Sequence, residues 1–313
     1  MINFRYHVVS LTAVFLALAI GLVVGTAALN GPVADSLNDN VNGLRKDNQQ
    51  LRETVASLKE EVNREEEFAV EAAQLLLPGR LANRRVLVLV LPSGRDHAEG
   101  VMKMLTTADA KITGRVDVQD KFVSPDNNIE LLDLAVRAAQ PSVQTSGLPG
   151  NSDGVETSSA LLAAALLDRP EGSPEVTEAD RKAVLSAYSN AGYLSVEGKI
   201  TGAAEAVVVV SGQPYVDRDS AKKDAAVVTM VDQFDKAGRV VVAGTGTSNG
   251  NVVAGVRSDP ALSKTISTVD NAHTAQGQVV TALAAVEQIV FNKTGHYGLG
   301  EGATSLMPKP ANK

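Results

Sequence analysis

The residues best placed to bind a ligand form a glycine-rich turn, Gly244–Gly250 (GTGTSNG), directly after an apolar run. In an α/β sheet, a glycine-rich turn at the carboxyl end of a strand is where ligands tend to bind. The G-x-G-x-x-x-G spacing is one residue longer than the dinucleotide fingerprint, and Asp270 is the candidate for its acidic partner. The alternative, which we favour, is a turn in which Gly244, Gly246 and Gly250 supply positive φ angles.

A second candidate is copper chemistry through His97, Met102 and Met104. Thioethers and imidazole are plausible ligands of Cu(I). On a helix, however, Met102 and Met104 point about 200° apart, and His97 lies two turns from Met104, about 10 Å away. We therefore favour packing of the methionines in the apolar core and predict no metal site.

The remaining titratable residues do not form a pattern typical of catalysis. His7, His273 and His296 are scattered, and we expect His273 to precede and cap a helix and His296 to lie in a turn. The chain has no cysteine, which excludes disulfides, thiolate catalysis and cysteine-based zinc sites. We therefore predict a protein that is not an enzyme and that needs no cofactor.

The elements that must position these residues begin with strands. Continuous apolar runs of this kind are typical of strands buried on both faces, and they occur at Val86–Leu91, Ala206–Val210 and Val240–Ala243. Shorter strands are expected at Lys111–Val116, Tyr193–Val196 and Thr265–Val269. Helices are expected at His97–Ala108, Ile129–Ala139, Ser158–Leu167, Glu178–Ala191, Ser220–Lys236 and Gln276–Asn292. The alternation predicts an α/β domain with a mostly parallel sheet and helices on both faces.

The amino-terminal part of the chain predicts a membrane anchor. Val8–Leu29 comprises 22 residues without a charge, which as a helix would span about 33 Å, enough to cross a bilayer. A cleaved signal peptide is the alternative, but the run is long for one and its best cleavage site is poor. Arg5 before the span favours a cytoplasmic amino terminus and an extracytoplasmic domain. Gly21 and Gly25 form a small-xxx-small pair that would let two such helices pack closely.

Heptads follow the anchor directly and predict a parallel, dimeric coiled coil. Position a is occupied by Val41, Asn48, Val55 and Val62, and position d by Leu37, Leu44, Leu51 and Leu58. β-branched residues at a with Leu at d favour two parallel strands, and a polar Asn at a fixes their register. The pattern weakens after Val62, because Glu65 occupies the next d position. The alternative is a single long helix folded back on its own domain.

These elements give the predicted domain organisation. It comprises a cytoplasmic tail (1–7), a transmembrane signal anchor (8–29), a coiled-coil stalk (33–77), an extracytoplasmic α/β domain (80–300) and a disordered tail (301–313). The net charge of −7 argues against binding to nucleic acid, which needs a basic surface. The anchor and the heptads instead predict a second copy of the chain, the membrane and another protein as partners.

Several segments resemble the actinobacterial family called mycobacterial copper transport protein B. The resemblance is carried by the opening Met1–Leu11 (MINFRYHVVSL), the Leu75–Leu81 junction (LLLPGRL), the Arg84–Pro92 strand and the Val240–Gly250 segment. It covers essentially the whole chain. The opening motif is the most specific part.

The resemblance implies two functions. One is copper homeostasis, with members described as outer-membrane copper efflux proteins. The other comes from corynebacterial members, which partner a membrane protein and help to control cell separation through peptidoglycan hydrolases. A channel needs a closed barrel or several spans, whereas this sequence offers one apolar helix. We therefore favour a single-pass, dimeric protein of the cell membrane that regulates cell separation through protein contacts, with copper transport as the alternative.

Overall fold

The computed structural model describes residues 4–30, 32–143, 148–149, 153–170, 172–246 and 250–309. The chain divides into two compact units, Met1–Arg64 and Glu65–Lys313. Thr247, Ser248 and Asn249 of the glycine-rich turn lie outside the described residues, as does the end of the tail beyond residue 309.

The first unit is built from helices. Helix α1 is Phe4–Asn30, and α2, Pro32–Leu76, begins in this unit and ends in the second. The segment Phe4–Ala27 is long and apolar enough to cross a membrane, and its most apolar 18-residue window has a mean hydropathy of 2.6. It contains most of the predicted span, Val8–Leu29. Pro32 stands at the first position of α2, where its missing N–H costs nothing.

Among the described residues of the second unit, seven strands form one sheet in the order β3-β2-β1-β4-β5-β6-β7. The strands are β1 Arg85–Val90, β2 Lys111–Val118, β3 Leu194–Glu197, β4 Ala206–Val210, β5 Arg239–Ala243, β6 Ser267–Val269 and β7 His296–Tyr297. Of these described strands, β3 runs antiparallel to β2, and the other neighbouring pairs are parallel. The predicted mostly parallel sheet is therefore confirmed.

Helices cover both faces of this sheet. They are α3 Arg95–Thr107, α4 Asp120–Val123, α5 Asn128–Ala138, α6 Gly154–Leu166, α7 Glu178–Asn190, α8 Ser220–Ala237, α9 Val252–Ser258, α10 Leu262–Thr265 and α11 Ala275–Val290, with short 3-10 turns at Pro92–Gly94 and Pro125–Asn127. One core packs α3, α11 and the end of α2 against the sheet. The other packs α4 to α10 against the opposite face.

The differences from the predicted elements lie in the shortest pieces. His296 lies in β7, which pairs with β6, and not in a turn. Helices α4, α9 and α10 were not predicted, since four to seven residues are too few to show a helical period. The segment predicted as a disordered tail starts with ordered residues, because Thr304 N–H donates to the His296 carbonyl at 2.8 Å.

Candidate functional site

The apolar helix α1 presents its glycine pair to its surroundings. A Cβ atom built on Gly21 or on Gly25 would meet nothing within 4 Å apart from the neighbouring backbone of its own helix. Small side chains spaced four residues apart let a second helix approach closely in a membrane. The face predicted to pair is therefore open in the single chain.

The predicted dimer face of α2 is an exposed apolar strip. Its Leu and Val side chains are between 41% and 68% exposed. They are Leu37, Val41, Leu44, Leu51, Val55, Leu58 and Val62, and Asn48 in the same strip is also exposed. A stripe of this kind normally lies against a partner. The strip agrees with the predicted coiled coil, and the dimer itself stays a prediction.

The last turns of α2, in the second unit, pack on the α/β domain. Ala69, Ala73 and Leu77 are buried, and the latter two join the core under α3 and α11. The Glu66 carboxylate accepts a hydrogen bond from the Ala275 N–H in the first turn of α11, where a negative charge is favoured. The predicted stalk, 33–77, thus contains two parts, and the heptads weaken where the helix packs on its own domain.

The described residues of the glycine-rich turn after β5 are held by contacts within the chain. Gly246 and Gly250 have φ angles of +75° and +91°, so the favoured interpretation is correct for these two residues. Gly244 is needed for a different reason, because a Cβ there would lie 2.6 Å from a methyl group of Val253. The side chain of Asn251 donates to the Thr245 carbonyl at 2.9 Å, which ties the turn to the start of α9.

A cleft lies beside this turn, between α8 and α9. It has a volume of about 560 Å³, and its lining includes Gly250 and Asp224. Burial raises the pKa of the Asp224 carboxyl group. A Cβ on Gly250 would lie 2.5 Å from that carboxylate, so the turn and α8 are packed tightly here.

The turn also carries a pattern that the prediction of a non-enzymatic protein wrongly took to be absent. Residues 246–250 read G-x-S-x-G, the pattern of a nucleophile turn between a strand and a helix. Its serine, Ser248, lies outside the described residues. The ring of His296 contacts Thr268 and Ser263, and the ring of His97 contacts that of His273.

The usual ligand crevice of such a sheet lies where neighbouring strands connect in opposite directions, here between the ends of β1 and β4. In this protein the loops after the two strands touch each other. The Gly212 N–H donates to the Ser93 hydroxyl at 3.0 Å. A Cβ on Gly212 would collide with the Ser93 carbonyl, and one on Gly94 with the Val210 carbonyl. The crevice is therefore filled by backbone.

Asp270 is held inside the protein by an ion pair. Its carboxylate lies 2.8 Å from the Arg257 guanidinium, and the two side chains are 2% and 5% exposed. It also accepts from the N–H groups of Leu299 and Gly300 at 2.8 and 3.1 Å. These partners occupy the carboxylate, so Asp270 does not have the exposed position that a ribose ligand needs.

The structure separates the three residues first considered for copper. Met104 is 1% exposed and lies in the core under α3, and Met102 packs at the edge of the same core. The interpretation of these methionines as packing residues therefore agrees with the structure. His97, on the same helix, has a different neighbour.

His97 and His273 come together although they are far apart in the sequence. Their ring centroids are 6.4 Å apart. His97 lies in the first turn of α3 and His273 just before α11, and these two helices pack against each other. At Gly100 on α3, a Cβ would meet the flexible end of the Gln278 side chain on α11. Sequence spacing could not reveal the pair. The expectation that His273 caps α11 was wrong, because Thr274 is the capping residue.

The two rings differ in exposure. His97 is half-buried and His273 is exposed. Burial lowers the pKa of His97, and the neighbouring His273 lowers it further, whereas Asp96 raises it. A lowered pKa favours the neutral imidazole, which is the form that binds metal ions. Within the described part of the chain, no group of three or more His, Cys, Asp or Glu residues could hold a metal ion.

Comparison with known proteins gives a consistent result over the whole chain. The model of a family described as "Copper transport outer membrane protein, MctB" matches residues 1–308. A protein called Copper transporter MctB from Mycobacterium tuberculosis is 26% identical over 311 residues, which cover 98% of this chain and 99% of that protein. One of the same name from Mycobacterium leprae is 27% identical over 314 residues, again 98% and 99%.

Proposed function

This chain belongs to the MctB family of copper transport proteins, and we propose that it handles copper at the cell envelope as a membrane-anchored dimer. The observation that carries the proposal is the extent of the match. The family match spans the anchor, the heptads and the α/β domain, and relatives named copper transporters align over 98% of the chain. The similarity therefore extends over nearly the whole chain, and not over one domain alone.

The single apolar helix restricts how copper would be handled. The described chain has one helix long and apolar enough to cross a membrane, whereas a helical pore needs several spans around a polar path. We therefore place the copper chemistry on the α/β domain and not in a channel within one chain. With Arg5 before the anchor, this domain lies outside the cytoplasm.

The dimer is supported by two faces of the first unit. The glycine pair on α1 is open to a neighbouring helix, and the apolar strip on α2 has the a and d residues of a parallel two-stranded coil. Anchoring in one membrane holds two copies parallel, which is the arrangement that these residues favour.

The copper content of cells tests the proposal. Cells that lack their own copy of this gene would be grown in copper and their copper measured by mass spectrometry, with and without the intact chain. We expect copper to accumulate without the gene and to return to normal with it. A chain with Leu44→Asp and Leu51→Asp should fail to restore it, whereas Lys46→Asp with Gln50→Asp, on the outer face of α2, should succeed. Unchanged copper in the cells without the gene would overturn the proposal.

A second candidate function is control of cell separation through a peptidoglycan hydrolase or a membrane partner. The exposed strip on α2 favours it, since such a helix face also binds the helix of another protein, and Phe68 nearby is 70% exposed. An affinity purification from native membranes with the intact chain tests it. A hydrolase or membrane partner that is lost with Leu44→Asp and Leu51→Asp, together with cells that stay joined without the gene, would favour this function.

A further inference from the structure

We propose that His97 and His273 together bind one Cu(I) ion at the surface of the α/β domain. The inference rests on the proposed copper function and names the site that would serve it. It starts from the contact between two imidazole rings in separate parts of the chain. His97 lies in α3, and His273 directly precedes the N-cap residue of α11.

The separation of the rings fits a metal ion between them. A metal–nitrogen bond of about 2.0–2.1 Å, added to the distance of about 1.1 Å from a ring nitrogen to its centroid, puts each centroid about 3.2 Å from the ion. Two imidazoles on opposite sides of one ion would then have centroids about 6.4 Å apart. The observed centroid distance is 6.4 Å. The rings thus have the separation of a linear bis-imidazole complex.

The number of ligands selects the oxidation state. Structural Zn²⁺ sites use four protein ligands and catalytic ones three, and Cu²⁺ prefers square-planar sets. In the described part of the chain, no third His, Cys, Asp or Glu completes such a set. Cu(I) accepts two nitrogen ligands in line, so it is the ion that a pair of imidazoles suits.

The surroundings favour a cation that arrives from solvent. His273 is exposed and offers the entry, while half-buried His97 provides a fixed ligand. Asp96 stands beside His97 in the first turn of α3. Glu66 bonds to Ala275, two residues after His273. Asp96 adds negative charge near His97, and both carboxylates oppose the positive ends of the helices beside them.

Cu(I) titration of the full chain in detergent tests the site, with competition from a coloured Cu(I) chelator. We expect one ion per chain. His97→Asn and His273→Asn should each weaken binding by more than about 100-fold, which exceeds the usual cost of losing a supporting hydrogen bond. The controls are His7→Asn, a histidine at the anchor, and Met102→Leu, a sulfur on α3. Both should bind as the native chain does, and circular dichroism should show that all four variants are folded.

X-ray absorption of the copper-loaded chain gives a second readout. We expect two nitrogen neighbours at about 2 Å and no sulfur neighbour. Copper binding that survives His97→Asn, a sulfur neighbour, or no binding at all would overturn the site. A missing site with normal copper dependence in cells would leave the proposed function standing. Intact binding without any effect on cellular copper would overturn the function and leave the site.

Discussion

Replacing Asp270 with Ala is expected to destabilise the α/β domain by about 3–5 kcal/mol, because the charge of Arg257 would be left buried without its partner. The two side chains are 2% and 5% exposed and lie 2.8 Å apart. The substitution also removes the acceptor for the N–H groups of Leu299 and Gly300. The loss of these bonds places the cost in the upper part of the range.

Asp168→Ala is the matched control, since it breaks an ion pair that is exposed to solvent. Asp168 lies 2.6 Å from Arg85, and their side chains are 37% and 45% exposed. Water and salt screen such a pair, so its loss should cost about 1 kcal/mol or less. The contrast between the two variants isolates the effect of burial.

Thermal unfolding followed by circular dichroism measures both variants. A domain of this size loses about 2–4 °C of Tm for each kcal/mol. Asp270→Ala should therefore lower the Tm by about 6–20 °C, and Asp168→Ala by no more than about 4 °C. Equal, small shifts would refute the reasoning that Asp270 is a structural partner of Arg257.

Three further predictions follow from the same geometry. Leu44→Asp with Leu51→Asp should raise the dimer Kd in detergent by about 1,000-fold or more. The dimer loses two leucines from each chain, and burial of each leucine contributes about 1 kcal/mol. An unchanged dimer in sedimentation would contradict the coiled coil. Gly212→Ala should cost about 1–3 kcal/mol of unfolding free energy by crowding the loop after β1, whereas Gly202→Ala, where a Cβ meets nothing within 4 Å, should cost far less. Burial lowers the pKa of His296 below its ordinary 6.5, so the unfolded chain binds a proton more readily than the folded one. The contribution of His296 to the free energy of unfolding should thus be complete above about pH 6.5 and decrease as the pH drops below it. His296→Gln should flatten that pH dependence in denaturant titrations.

The parts of the fold with strong local patterns were predictable from the sequence. The run Val86–Leu91 is apolar without interruption because β1 is buried on both faces. The heptads around Leu44 follow from the 3.5-residue period of a helix pair. In both cases neighbouring residues share one environment, so the pattern is visible in a short window.

Contacts between distant segments were not predictable in this way. His97 and His273 meet because α3 packs against α11, and no spacing in the sequence records that approach. The same holds for Asp270, whose partner Arg257 stands on a helix of seven residues. The sequence does not show whether an aspartate forms a buried ion pair or binds a ligand, because only the surrounding structure distinguishes the two.

Disulfide cross-linking in native membranes tests the central claim, a parallel pair of anchored chains, most directly. The chain has no cysteine, so each introduced thiol reports on one position. In a parallel coil, Leu37→Cys and Leu58→Cys should each cross-link to the same position of a second copy, since facing d residues lie within the roughly 4.4–6.8 Å between Cα atoms that a disulfide needs. Ser57→Cys, on the outer face, should stay monomeric. Cross-linking of Ser57→Cys as strong as that of Leu58→Cys, or none at Leu37→Cys, would contradict the account.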